Sequence, residues 1–210
     1  MKIHDIVAAN FYDLFEENLR NEICNKGILK TVAPDKIILD IRTNIEFIPL
    51  IVSGVVKVKR CDRKGNGIFL HYLSAKQTSA IALTYAIENK KWEIRLNAES
   101  NVTYIAIPAK VVILWFLKYS SWRAFYFKLN QQQTDFLIEK INDVAFENLE
   151  VRLLKYLEYT RLVTSNNTIN KKHIDIACDL KVSREAVSRT LGKLEREDLI
   201  TLGRNRITLN

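Results

Sequence analysis

Arg184, Glu185, Ser188 and Arg189 stand one, three and one residues apart. On a helix, residues four apart share a face, so Arg184 aligns with Ser188 and Glu185 with Arg189. Four hydrogen-bonding side chains then project from two turns. An arginine can bond guanine O6 and N7 together, and a glutamate can accept from the cytosine N4 amino group. This is the chemistry needed to read base edges in a major groove. Glu185 is also spaced to orient Arg189 through an i,i+4 ion pair. A solvated helix face can carry the same residues, so the surrounding elements decide between the two.

Those elements are legible. Leu149 to Thr160 has leucines at 149, 153, 154 and 157 on one side, a helix, followed by a loop at Thr164-Ser165-Asn166-Asn167. Helical spacing resumes at Ile176, Ala177 and Leu180, then breaks over Lys181-Val182-Ser183. The next helix starts at Arg184, with Val187, Leu191 and Leu194 as its apolar stripe. Two helices joined by three residues are helix–turn–helix spacing. Ala177 is small where the helices approach, Val182 plugs the turn, and Ser183 can cap the second helix, worth ~1 kcal/mol. Leu199 to Leu202 and Ile207 to Leu209 read as a two-stranded wing with Arg204 and Arg206 at its tip. These two arginines, and Lys171 with Lys172 before the first motif helix, are expected phosphate ligands, joined by Ser183 and Lys193.

Composition agrees with this reading without deciding it. The 210 residues include 32 Lys+Arg against 24 Asp+Glu, a net charge of +8. From Glu150 to Asn210 there are 12 basic and 8 acidic residues, so this part is more than twice as basic per residue as the rest. A hydrophobic content of 48% excludes general disorder, and 6 Gly with 3 Pro exclude fibrous classes. The longest apolar run, Val111 to Leu117, is far short of a bilayer span, and no signal peptide is read at the N-terminus. Cys24, Cys61 and Cys178 are too few and too scattered for a disulfide framework or a zinc knuckle, so a cytoplasmic protein is expected.

The first 107 residues differ in character. The stretch to about Leu29 is predicted helical, from Ile6, Val7, Phe11, Leu14, Phe15 and Leu19. Strands are predicted at Ile37–Leu39, Phe47–Lys59 with a break at Ser53-Gly54, Ile68–Leu73, Trp92–Leu96 and Val102–Ile107. A hairpin turn is predicted at Arg63-Lys64-Gly65-Asn66-Gly67. Short strands with turns between them suggest a small sandwich or roll. From Trp122 to about Phe146 the pattern is one long helix, carrying Phe125, Leu129, Phe136, Leu137, Ile141 and Val144. That helix packs either on its own β domain or on a second copy in a homodimer, and its length with an embedded Gln132 favours the dimer.

Val182 to Leu194 resembles the recognition-helix region of the Crp/Fnr transcriptional regulators, most specifically at Ser183-Arg184-Glu185 and Ser188-Arg189. Val52-Ser53-Gly54-Val55-Val56-Lys57-Val58 and Phe69-Leu70-His71-Tyr72-Leu73 look like the family's strand signatures, and Val144-Ala145-Phe146-Glu147-Asn148 like its hinge. The resemblance implies an α+β fold. It comprises a cyclic-nucleotide-binding-like β-roll over 1–118, a dimerisation helix over 119–146 and a winged helix–turn–helix over 147–210. It implies that Glu185 and Arg189 are the main base contacts, beside Arg184 and Ser188. Arg184 resembles the cyclic-AMP-responsive branch and Ser188 the Fnr branch. Lys181 departs from the family, which often has Gly there; if φ is positive, lysine costs ~1 kcal/mol.

The roll departs further. Cyclic-nucleotide binders of the family carry a Gly-Glu pair and an Arg-Ser/Thr-Ala triplet. Here the matching places read Thr78-Ser79-Ala80-Ile81-Ala82-Leu83 and Lys90-Lys91-Trp92-Glu93-Ile94-Arg95-Leu96, with Leu137 and Ile138 where adenine contacts belong. A polar ligand loses heavily without its partners, so cyclic AMP is not expected, although Lys90, Lys91 or Arg95 could meet a phosphate. An iron–sulfur cluster is not expected from three separated cysteines, and Cys178 reads as packing. His4, His71 and His173 are the available haem ligands, and a lone histidine is usually structural. Tyr85, Trp92, Trp115 and Trp122 either line a pocket or fill the core. Ile81, Lys91, Trp92, Arg95 and Leu137 mark the expected effector pocket, whose ligand is unknown. No Gly-rich phosphate loop, HExxH or G-x-S-x-G is present, so the chain does not read as an enzyme. The expected partners are near-palindromic double-stranded DNA, a second copy of the chain and RNA polymerase, with no membrane; the alternative is a small-molecule sensor with a vestigial DNA-binding domain.

Overall fold

A computed structural model describes residues 2–62, 67–88 and 94–210. The chain forms two compact units: residues up to Lys59 with His71–Phe136, and Arg60–Leu70 with Leu137–Asn210. The predicted turn at 63–67 lies outside the described residues except for Gly67.

The first unit opens with two helices rather than one. α1 (Ile3–Phe11) and α2 (Glu17–Lys26) are separated by a turn that delivers Phe15 into the core. Phe15 meets Phe11 at 5.8 Å, Phe125 edge-on at 5.0 Å and Trp122 at 5.7 Å. Burying that ring outweighs continuing a helix through Tyr12 to Glu16. The chain is already extended at β1 (Ile28–Val32), where a helix end was predicted.

β2 (Ile37–Leu39), β3 (Phe47–Ser53), β4 (Val56–Cys61) and β5 (Gly67–Leu73) follow. Between β3 and β4, Gly54 has φ +85, and a Cβ there would collide with the Asn101 carbonyl oxygen, so the predicted break requires glycine. A helix not anticipated from sequence, α3 (Ala80–Glu88), precedes β6 (Ile94–Ala98) and β7 (Val102–Pro108). The sheets run β1-β7-β3 and β2-β6-β4-β5, with β7 antiparallel to both its neighbours. Ile48, Leu50, Ile51, Val56, Leu96, Ile105 and Ile107 are fully buried from these strands.

Pro108 ends β7 and stands at the N-cap of α4 (Ala109–Lys118). Trp115 of α4 meets Trp122 edge-on at 5.3 Å, which makes both core residues. Glu22 fastens α2 to this cluster, accepting from Tyr119 Oη at 2.8 Å, from Trp115 Nε1 at 2.5 Å and from Lys118. The Lys118 hydrogen bond, helped by those of Trp115 and Tyr119, holds the Glu22 carboxyl at about 2 against the cost of burial. Among the described residues, no helix is long and apolar enough to cross a membrane.

α5 (Ser120–Phe146) is the predicted long helix and runs from the first unit into the second. Its two ends behave differently. Phe125 and Leu129, assigned from sequence to a dimer seam, are 7% and 4% exposed within the first unit. Both belong to its core, Phe125 within the aromatic cluster of Phe15 and Trp122. Gln132 is exposed; the embedded polar residue is Gln133, one position on. Gln133 Nε2 donates to the Thr78 carbonyl at 3.0 Å, and its Oε1 accepts from the Ala80 N–H at 3.2 Å. It therefore ties α5 to the start of α3.

The second unit contains the far end of the β4–β5 hairpin and the remaining elements. α6 (Leu149–Thr164) is capped by Asn148, whose Oδ1 accepts from the Val151 N–H at 3.0 Å. β8 (Thr168–Ile169), too short to predict, leads to α7 (His173–Leu180) and α8 (Arg184–Arg196). β9 (Ile200–Gly203) and β10 (Arg206–Leu209) complete a sheet of order β8-β10-β9. Asp143 on the last turns of α5 accepts from Lys155 at 2.7 Å and Lys140 at 3.2 Å. Burial pushes the Asp143 carboxyl up, but these hydrogen bonds bring it below its usual value. Phe69 stands edge-on to Tyr156 at 5.7 Å, and Tyr156 Oη donates to Asp179 Oδ2 at 2.7 Å.

Two outcomes follow from this packing. His71 is 3% exposed, faces Phe136 at 5.9 Å, and neither ring nitrogen has a hydrogen-bond partner. Burial lowers its pKa to about 4, below the unfolded value near 6.5. Between those values the unfolded chain takes up a proton that the folded chain refuses. Stability is therefore expected to fall as pH drops from 6.5 to 4, at up to about 1.4 kcal/mol per pH unit. His71→Phe should flatten that component in urea midpoints measured against pH; parallel profiles would contradict it. Lys181, the C-cap of α7, has φ 55 and ψ 50. Lys181→Gly is expected to raise unfolding free energy by about 1 kcal/mol in urea denaturation, and a loss would refute the strain.

Candidate nucleic-acid interface

The turn between α7 and α8 has the geometry that its sequence demands. Lys181 adopts the left-handed conformation, and the Val182 N–H bonds back to the Ala177 carbonyl at 3.1 Å. Ser183 Oγ then accepts from the Ala186 N–H at 3.1 Å, capping α8 as expected. Ile176 and Ala177 of α7 and Val187, Leu191 and Leu194 of α8 are buried. With those three fixed inward, Arg184, Glu185 and Arg189 are left exposed at the start of α8. The expected Glu185–Arg189 ion pair is absent among the described residues, so both side chains retain their hydrogen-bonding capacity.

Ser188 differs from its three companions. It is half-buried, and its hydroxyl lies 2.8 Å from His173 Nδ1, at the first position of α7. Sequence reasoning considered His173 only as a haem ligand. The available signal was its place directly after Lys171-Lys172, at the start of the first motif helix.

A cleft of about 590 Å³ opens between the starts of α7 and α8 and the β9–β10 turn. It is lined by Lys172, His173, Ile174, Arg184 and Arg204, with Gly203 and Asn205 at the wing. Three cations and an imidazole thus face one hollow that, among the described residues, no carboxylate lines. The wing turn is Arg204-Asn205, with Asn205 at φ 54. Arg206 folds against Gly203, where an added Cβ would lie 3.3 Å from its Nε.

The remaining expected phosphate ligands divide. Lys172 is exposed in the cleft. Lys171 is not in it: its ammonium donates to Tyr156 Oη at 3.1 Å and lies 5.6 Å from that ring's centre. Lys193 is paired with Glu150 and stands 3.7 Å from Glu197, and the Glu150 hydrogen bond raises its pKa. Each ammonium thus commits a donor within the domain. Cys178, read as packing, is exposed, because the adjacent Asp179 takes the inward position.

Of the expected effector residues, Ile81, Arg95 and Leu137 are among those described. Lys90, Lys91, Trp92 and Glu93 lie outside the described residues. Ile81 is half-buried on α3, and Arg95 Nε is spent on Asp40 at 2.7 Å. Leu137, half-buried, belongs to the second unit. At the start of α3, the N–H groups of Ala80 and Ala82 bond to Gln133 Oε1 and, at 3.2 Å, Ser79 Oγ. Among the described residues, no group of three His, Cys, Asp or Glu could hold a metal ion.

Residues 151–210 match the family of Crp-like helix-turn-helix domains. The whole fold is similar to a regulator assigned to the Crp/Fnr family from Eubacterium rectale, with TM-score 0.81 and 19% identity over 95% of this chain and 92% of that one. It is similar also to CLP, a c-di-GMP-responsive global regulator of Xanthomonas campestris, with TM-score 0.77 and 13% identity over 92% of this chain and 99% of that one. A Crp/Fnr-family regulator from Thermus thermophilus matches at TM-score 0.70 and 16% identity, covering 87% and 93%. No curated protein matches by sequence. At these identities the structural likeness is one of fold, and the sequence match lies in the reader domain. Residues 151–210 thus match the Crp-like helix–turn–helix domain by sequence, and along its length the chain shares the fold of solved Crp/Fnr-family regulators.

Proposed function

We propose that the protein is a cytoplasmic homodimer that binds near-palindromic double-stranded DNA and regulates transcription at RNA polymerase. The observation carrying this reading is the exposed ridge of Arg184, Glu185 and Arg189 beside a cleft lined by Lys172, Arg184 and Arg204. The ridge offers groups for base edges, and the cleft offers only positive charge and N–H donors to the phosphates beside them. Arg184, Glu185, Ser188 and Arg189 read bases; Lys172, Arg204 and Arg206 hold the backbone.

A second copy of α5 is the partner proposed for the exposed stripe of Ile138, Ile141 and Val144, of which Ile141 is 67% and Val144 61% exposed. Those positions recur at steps of three, as one face of a helix does. Phe136 and Leu137 flank the stripe and are half-buried. Lining a parallel helix seam removes this apolar surface from water and sets two readers on one duplex. No small-molecule effector is assigned, since Gln133 already holds the first free N–H of α3.

Selection of bound sequences from randomised DNA tests the reading. Arg189→Ala is expected to cost about 1–3 kcal/mol and to relax selectivity at one base pair per half-site. Arg204→Ala should instead weaken all sequences alike and reduce the salt slope by about 1. Equal losses on selected and random DNA for Arg189→Ala would refute base reading.

A further inference from the structure

Ser188 is the one member of the base-reading set whose polar group is already engaged inside the reader. Its Oγ lies 2.8 Å from His173 Nδ1, across the two helices of the motif. A serine hydroxyl has one proton to give and two lone pairs to offer. Its partner therefore decides what remains for a base edge. If Nδ1 accepts, the serine proton is spent and only lone pairs face outward. If Nδ1 donates, the serine keeps its proton free.

The cleft chooses between these states. His173 lines it together with Arg184 and with Lys172 and Arg204, the two lining groups assigned to phosphate. With Nδ1 committed to Ser188, Nε2 is the ring nitrogen left for the cleft. A phosphate oxygen is an acceptor, so a neutral ring serving it carries its hydrogen on Nε2. Nδ1 is then bare, and it accepts from Ser188. We infer that His173 is a specificity-determining positioning residue. It fixes the Ser188 side chain by hydrogen bonding and restricts it to accepting, so that Ser188 selects a base with an exocyclic amino group, cytosine N4 or adenine N6. This rests on the proposed reading of DNA by α8 and goes beyond it, since it assigns a preference that the serine alone lacks.

The experiment is sequence selection with the full-length protein and its variants, followed by affinities for operators altered at single pairs. Ser188→Ala locates the pair that Ser188 reads. There the wild type is expected to favour the amino-bearing base roughly fivefold, the worth of one hydrogen bond. His173→Phe should erase that preference, and adding it to Ser188→Ala should change nothing more at that pair. Asparagine places a polar atom where Nδ1 stands, and glutamine where Nε2 stands. His173→Asn should therefore retain the preference, while His173→Gln loses it; both are mild changes at a helix start and control for misfolding. The inference is overturned if His173→Phe lowers affinity evenly for all sequences and leaves the preference intact. It is overturned too if the asparagine and glutamine variants behave alike, or if the favoured base lacks an amino group. These failures would leave selectivity at the Arg189 pair in place. A wild type without any sequence preference would overturn the DNA-reading assignment itself, and this inference with it.

Discussion

The aim of α8 depends on one turn of backbone. Lys181 accepts a left-handed conformation, the Val182 N–H returns to Ala177, and Ser183 closes the first turn of α8. Those bonds start the helix with Val187, Leu191 and Leu194 inward, all of them essentially inaccessible. Burying three such side chains contributes on the order of 5–8 kcal/mol relative to leaving them in water. Rotating the helix by one residue would forfeit much of that. Arg184, Glu185 and Arg189 are therefore outward as a consequence of the packing rather than through contacts of their own.

The sequence was most informative where local rules suffice. Steps of four and three at 187, 191 and 194, a capping serine and a three-residue break fix a helix pair without reference to the rest of the chain. The positive φ suspected at Lys181 is of the same kind, since the turn geometry requires it whatever occupies the site. Where sequence reasoning missed, long-range packing decided. Phe125, Leu129 and Val144 look alike as members of one helical stripe, yet the first two are buried, Phe125 within the aromatic cluster around Phe15, and the last is exposed. Gln132 and Gln133 are adjacent and identical in type, and only the position of Thr78 and Ala80 distinguishes them. Lys193, expected as a phosphate ligand, is paired with Glu150, 43 residues earlier, a partner that no local rule points to. His173 is weighed from sequence only as a haem ligand because its partner is 15 residues away on another helix.

In the first unit, side chains of the chain itself meet N–H groups at the start of α3. Ala80, Ala82 and Leu83 bury an apolar face on α3, and the N–H groups of Ala80 and Ala82 bond to Gln133 and Ser79 respectively. Helix starts attract anions because such N–H groups lack partners. Here two side chains supply acceptors to the Ala80 and Ala82 N–H groups. Arg95 is likewise neutralised by Asp40. Gln133 also joins this helix start to α5, the helix proposed to carry the dimer seam.

The central claim is that two copies of the α8 ridge occupy successive major grooves on one face of a duplex. Hydroxyl-radical footprinting and affinity on a selected operator with altered spacing test it directly. Half-site centres ~34 Å apart should give two protected patches and the tightest binding, and inserting half a helical turn should abolish cooperative occupancy. Equal affinity at all spacings, or one protected patch per operator, would contradict the account.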